Sequence, residues 1–218
     1  STQAKTLFPY TTLFRSVSMK NIIENEKYKL EIFDDLNPCS PREFDNLGTM
    51  VCFHRRYDLG DETELKSSDF SSWEELESYL YKEENALIAI PVFMYDHSGL
   101  WINTTGFSCP WDSGQVGYIY ISKEKVRREY SCKRISKKLK EMIREMLCSE
   151  VDLYNDYLSG NVYGFTLTDK ENAEEIDSSC GFYGTDYIEN GIFDYVSSYF
   201  TKAELEALVW KILTAIKL

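Results

Sequence analysis

The sequence predicts an α+β fold: a mainly antiparallel sheet with inserted and C-terminal helices. Two patterns carry this expectation. Short runs rich in β-branched and aromatic residues are separated by turn residues, so the strands group mainly as hairpins. Between and after them lie segments whose apolar residues recur at three- and four-residue intervals, as one face of a helix requires. A content of 43% apolar and 15% aromatic residues is ample for a core.

The elements follow in chain order. Residues 28–33 and 49–54 read as strands on either side of the loop LNPCSPREFDNLG, with its two prolines and a glycine. A loop after Tyr57 leads to FSSWEE, where Ser71 and Glu74 have capping-box spacing ahead of a helix over 73–82. LIAIPVFMY reads as a buried strand over 87–95, its Pro91 suited to an edge or bulge. The turn Asp96-His97-Ser98-Gly99 joins it in a hairpin to a strand over 100–104. GFSCPWDSGQVG reads as turn-rich, with a strand over 118–122 after it and a short helix from Lys123. A long helix over 135–158 follows from the spacing of Ile135, Leu139, Met142, Ile143, Met146, Val151, Tyr154 and Leu158, with Gly160 as its stop. Residues 162–168 read as a strand, and 179–183 as a short strand or turn. Helices are expected near 191–200 and 202–217, the second opened by the capping-box pair Thr201 and Glu204 with a Phe200–Leu205 staple.

Residues 6–16, TLFPYTTLFRS, are the in-frame translation of a common short-read sequencing adapter. Residues 1–18 are therefore read as an adapter-derived or non-native extension, Met19 as the natural initiator, and 19–218 as a single α+β domain. No run approaches the ~18 apolar residues of a membrane span, and no secretion signal follows Met19, so a cytoplasmic location is expected. The cysteines, Cys39, Cys52, Cys109, Cys132, Cys148 and Cys180, are irregularly spaced and lack a C-x-x-C pair. Reduced thiols without a structural metal are the expectation, since only His54 and His97 could complete a zinc site. No cofactor is expected: P-loop, G-x-G-x-x-G, H-E-x-x-H and G-x-S-x-G patterns are all absent.

Charge is segregated. The formal net charge is -12, or -14 from Met19 onward. Residues 123–144 carry ten basic and three acidic residues, whereas 19–122 and 145–218 sum to -11 and -10. Isolated, the basic segment would read as a phosphate-binding face; flanked by an acidic chain, it reads first as a solvated helical face paired to acidic neighbours. Only Tyr130 interrupts it with an aromatic ring, so direct nucleic-acid binding is not expected.

Four strings concentrate unusual residue types: FHRRYDLGDE at 53–62, YDHSGLW at 95–101, FSCPWDSGQVGYIYISKE at 107–124 and SCGFYG at 179–184. Together with YLSGNVYGF at 157–165, they resemble a family of uncharacterised proteins found in bacteriophages and mobile elements. The resemblance covers residues 19–194. It implies a phage or bacterial origin and carries over no activity and no residue role.

Read chemically, the strings contain a candidate thiol nucleophile. Cys109 lies in a turn, and His97, twelve residues upstream, could take its proton, with Asp96 or Asp112 orienting the imidazole. Backbone N–H groups around Ser113 and Gly114 could face an oxyanion. The alternative is a buried Cys109, a turn hydrogen bond from His97, and Trp111 packed over both. Cys180 could serve as a resolving thiol or fill the core. His54, Arg55 and Arg56 are a candidate anion site, although adjacent arginines on a strand face opposite sides. The leading expectation is an acidic protein acting by protein–protein interaction. In that reading it mimics DNA towards a basic host DNA-binding protein by matching phosphates about 1.7 Å apart along the axis. A cysteine-dependent enzyme using Cys109, His97 and Asp112 is the alternative.

Overall fold

The structure is a computed structural model and describes residues 21–207. Its two antiparallel sheets and their helices make the α+β fold that the sequence predicts. The chain forms two compact units: one holds residues 40–159, the other residues 21–39 and 160–207. The adapter-like residues and the end of the expected C-terminal helix lie outside the described residues.

The second unit is built on β1 (Asn21–Glu24), β2 (Tyr28–Asp34), β7 (Val162–Asp169) and β8 (Glu175–Tyr183), in that spatial order. β2 and β7 alternate so that Leu30, Ile32, Phe165 and Leu167 share one fully buried face. Helix α4 (Ile192–Val196) covers it through Ile192 and Val196, joined by Tyr187, Phe200 and Leu205. Residues 202–207 are helical, and the expected cap is in place. The Thr201 N–H donates to Glu204 Oε2 at 2.7 Å, and the Glu204 N–H donates back to Thr201 Oγ1 at 3.3 Å. Strand β1 escapes sequence reasoning because only four residues pair. β8 begins four residues before the expected 179, since its polar sequence follows β7 through a tight hairpin rather than its own apolar pattern.

The first unit holds β3 (Thr49–Cys52), β4 (Ala86–Asp96), β5 (Leu100–Asn103) and β6 (Ser113–Ser122), ordered β3-β6-β4-β5. Helices α1 (Trp73–Lys82), α2 (Lys123–Glu129) and α3 (Lys137–Ser159) complete it. Tyr118, Tyr120, Val51 and Ala89 face α1 and bury Leu76 and Leu80. Ile119 points to the opposite face, where α3 approaches it through Leu147: a Cβ added at Gly48 would lie within 2.5 Å of Leu147 and 2.8 Å of Ile119. With both faces covered, β6 is buried without alternation from Val116 to Ile121.

Three local expectations change. β6 starts at Ser113, five residues before the expected 118, because the long β4 offers partners as far as Tyr95. Gly117 is needed there: a Cβ on it would sit 2.0 Å from the Val51 carbonyl oxygen. The cap of α1 shifts by one residue, with Ser72 accepting from the Glu75 N–H and the Glu75 carboxylate reaching back to the Ser71 N–H at 2.7 Å. The Ser71 hydroxyl, donating at 2.6 Å, and then the Ser71 N–H hold the Glu75 carboxyl below its ordinary pKa. β3 ends at Cys52, short of His54. Pro91 occupies a stretch of β4 that pairs with β6 alone, since β5 reaches only from Phe93 to Asp96, and a register shift follows at Val92.

The crowding at Gly117 predicts that Gly117→Ala destabilises the fold by about 1–3 kcal/mol, read as a lower denaturant midpoint at unchanged slope.

Candidate functional site

Residues 40–67 and the last turns of α3 line a cleft of the first unit, about 1090 Å³ in volume. Its base is organised by Arg42, whose side chain is 4% exposed. A 3-10 turn, Pro41–Glu43, capped by Ser40, starts this arrangement. The guanidinium is bidentate on Asp61, with Nε to Oδ1 and Nη2 to Oδ2 both at 2.8 Å. Nη1 reaches Glu150 Oε2 on α3 at 3.1 Å, and Nη2 also donates to the Gly48 carbonyl at 3.0 Å. Each carboxylate then ties down backbone. Glu150 Oε1 accepts the Leu47 N–H at 2.7 Å, and Asp61 Oδ2 accepts the Met50 N–H at 2.8 Å. Burial opposes the Arg42 charge, but Asp61 and Glu150 more than offset it and raise its pKa.

Cys52 and Tyr154 line the same cleft. Burial, reinforced by the Asp61 charge, pushes the Cys52 thiol up to about 12. Burial likewise raises the Tyr154 phenol, which accepts the Gly60 N–H at 3.4 Å. Near neutral pH these two groups are protonated, and Arg42 is fully paired. The base of the cleft therefore lacks a thiolate and works as a brace. Sequence reasoning missed this network because its members are 19 and 108 residues apart and share no motif.

The anion candidates border this cleft without converging. His54 stacks on Tyr57 with ring centroids 4.9 Å apart. The Arg56 guanidinium lies 5.2 Å from the Tyr57 ring centre and pairs with Asp96, so its charge is already engaged. Arg55 is exposed. His54 and Arg55 line the cleft, and Arg56 does not.

The thiol candidates do come together, at the end of the sheet where β4 and β6 part. Cys109 Sγ donates to Asp112 Oδ2 at 3.8 Å, and His97 Nδ1 lies 3.1 Å from the same oxygen. The carboxylate thus stands between thiol and imidazole. Among the described residues no hydrogen bond joins Cys109 to His97, whereas thiol activation needs the imidazole against the sulfur. Ser113 and Gly114 pair with Tyr95 and Met94 in the ladder, which turns alternate backbone groups towards β4. Trp111 is 91% exposed and does not cover the pair. None of Cys109, Asp112 and His97 lines the large cleft. Cys180 stands on β8 of the other unit, exposed, with burial against its neighbours raising its thiol pKa.

All six cysteines are unpaired. Among the described residues no group of three or more His, Cys, Asp or Glu side chains is placed to hold a metal, and no helix is long and apolar enough to cross a membrane.

Two expectations follow from the cleft. Arg42→Ala leaves two carboxylates without their cation and should cost about 3–5 kcal/mol in chemical denaturation, with Glu150→Gln losing less because the Asp61 pair survives. Cys52 should alkylate at pH 8 at least about tenfold more slowly than exposed Cys39, read by mass spectrometry of the native protein. Because the Cys52 pKa is raised by folding, its contribution to stability is complete below the ordinary value of 9.0 and is lost as pH climbs towards 12. Cys52→Ala should therefore flatten the alkaline side of the stability profile. No family model, curated protein or solved structure matches this chain.

Proposed function

We propose that this protein acts by binding another protein rather than by catalysis, and that its acidic surface mimics DNA towards a basic DNA-binding partner. The observation that carries this reading is the concentration of exposed carboxylates in the segment that leads into and forms α1. Residues 58–84, which lead into and form α1, hold ten acidic and two basic residues. Asp58, Glu62, Glu64, Asp69, Glu74, Glu75 and Glu83 are all exposed. The basic stretch 123–144 belongs instead to α2 and α3, and α3 packs on the opposite sheet face. Tyr130 Oη meets Met146 Sδ at 3.2 Å, which keeps the end of α2 against α3. The positive segment meets the end of this acidic stretch where Lys123 Nζ donates to Asn85 Oδ1 at 3.0 Å. Within that segment the ion pairs are short-range, Arg127 with Glu124 and Arg128 with Glu129. A bacteriophage or mobile element is the proposed setting, on the sequence resemblance.

The second reading, a cysteine-dependent enzyme, has one observation in its favour: Cys109 and His97 meet on a single oxygen of Asp112. The interposed carboxylate and the absence of these residues from the large cleft weigh against it.

The interaction reading is tested by displacing fluorescent duplex DNA from a panel of basic bacterial DNA-binding proteins with the full chain. Displacement is expected at low salt and should fade as salt rises. Glu62→Lys/Glu64→Lys/Glu83→Lys should weaken it at least about tenfold, whereas Lys137→Glu/Lys138→Glu on the other face should not. Failure against every member of the panel, or indifference to the triple reversal, rejects the reading. For the enzyme reading, His97→Ala is expected to change the Cys109 alkylation rate by less than about twofold. A large fall would revive it.

A further inference from the structure

Among the described residues, the second sheet ends on an open strand. β8 is the last strand in the order β1-β2-β7-β8, nine residues long, and is exposed from Glu175 to Ser178 and again at Cys180 and Gly181. An antiparallel strand turns half of its N–H and C=O groups to each side. Among the described residues, the backbone of 175–182 makes its hydrogen bonds to β7 alone. Such an edge is a template for a further strand, and proteins commonly guard it with lysine or proline. β8, EIDSSCGFY, has neither. It has register shifts at Ile176 and at Gly181, where φ is 85°. Bulges at those two points bracket a regular run, 177–180, and limit pairing to a short segment instead of an open-ended stack.

The charge of the edge selects its occupant. Glu171, Glu174, Glu175 and Asp177 cluster in the β7–β8 turn and the first half of β8, all exposed. Among the described residues none has a lysine or arginine within 4.0 Å, since Lys170, the nearest cation in sequence, pairs with Glu24 at 3.1 Å. A second copy of this chain would bring the same carboxylates to the same edge, on a molecule of charge -12. An extended segment bearing lysine or arginine offers both the missing backbone partners and the opposite charge.

We propose that the edge of β8 captures a short basic segment of a partner protein as an added strand. The site lies on the second unit and does not depend on the acidic surface around α1.

The probe is a fluorescent peptide of alternating lysine and valine, titrated into the full chain at low salt, with hydrogen exchange followed by mass spectrometry. Binding should slow exchange within 175–182, and an N-methylated peptide of the same charge should bind at least about tenfold more weakly, because it cannot donate to the edge. Glu175→Lys/Asp177→Lys should cause a comparable loss, with the fold checked by circular dichroism. The Glu62, Glu64 and Glu83 reversals should leave the protection in 175–182 unchanged, which separates this site from the DNA-mimic reading. Equal binding of the N-methylated peptide, binding without protection of β8, or no binding overturns the proposal. So does sedimentation showing that the edge is filled by self-association.

Discussion

Arg42 is the point on which the first unit depends, because its guanidinium ties together three pieces of chain built independently of one another. The turn that carries it, the return loop ending at Asp61, and Glu150 on α3 are each short of a reason to hold their places. A buried cation supplies it. Its five N–H groups need acceptors, the two carboxylates need donors, and the N–H groups of Leu47, Gly48 and Met50 complete the set. Such a network tolerates little loss, since an ion left unpaired away from water is costly. Arg42 and Asp61 line the cleft together with Cys52 and Tyr154, whose protons are held by burial.

The sheet of the first unit then places the helices. Successive residues on β6 point to opposite faces, so Tyr118 and Tyr120 receive α1 while Ile119 receives α3. The carboxylates of α1 are thus divided by the sheet from α3, whose own charge is mixed, with four basic and five acidic residues.

How much was legible from sequence follows the range of the interactions involved. α1 and α3 were foreseen within about two residues, since their apolar spacing is local and nearly continuous. The Thr201–Glu204 cap was foreseen for the same reason, spanning three residues. β8 and the first half of β6 were missed in extent because their strand state comes from the partners, β7 and β4, rather than from their own polar, glycine-bearing sequences. The candidate thiol cluster was partly legible: Cys109, Asp112 and His97 share one hairpin region. Its internal order was not, because which group stands between the other two depends on side-chain directions at the end of a ladder.

The sequence by itself determined the α+β class, the helices, most strands and the separation of acidic from basic segments, all of which rest on periodicity and composition along short stretches. Only the tertiary structure decided that the chain divides into two units, that Arg42 joins Asp61 and Glu150 across 19 and 108 residues, and that among the described residues β8 has an open edge. Those outcomes depend on which distant segments pair. No local pattern encodes that choice, because it is made by the packing of whole faces and the need to satisfy every buried charge.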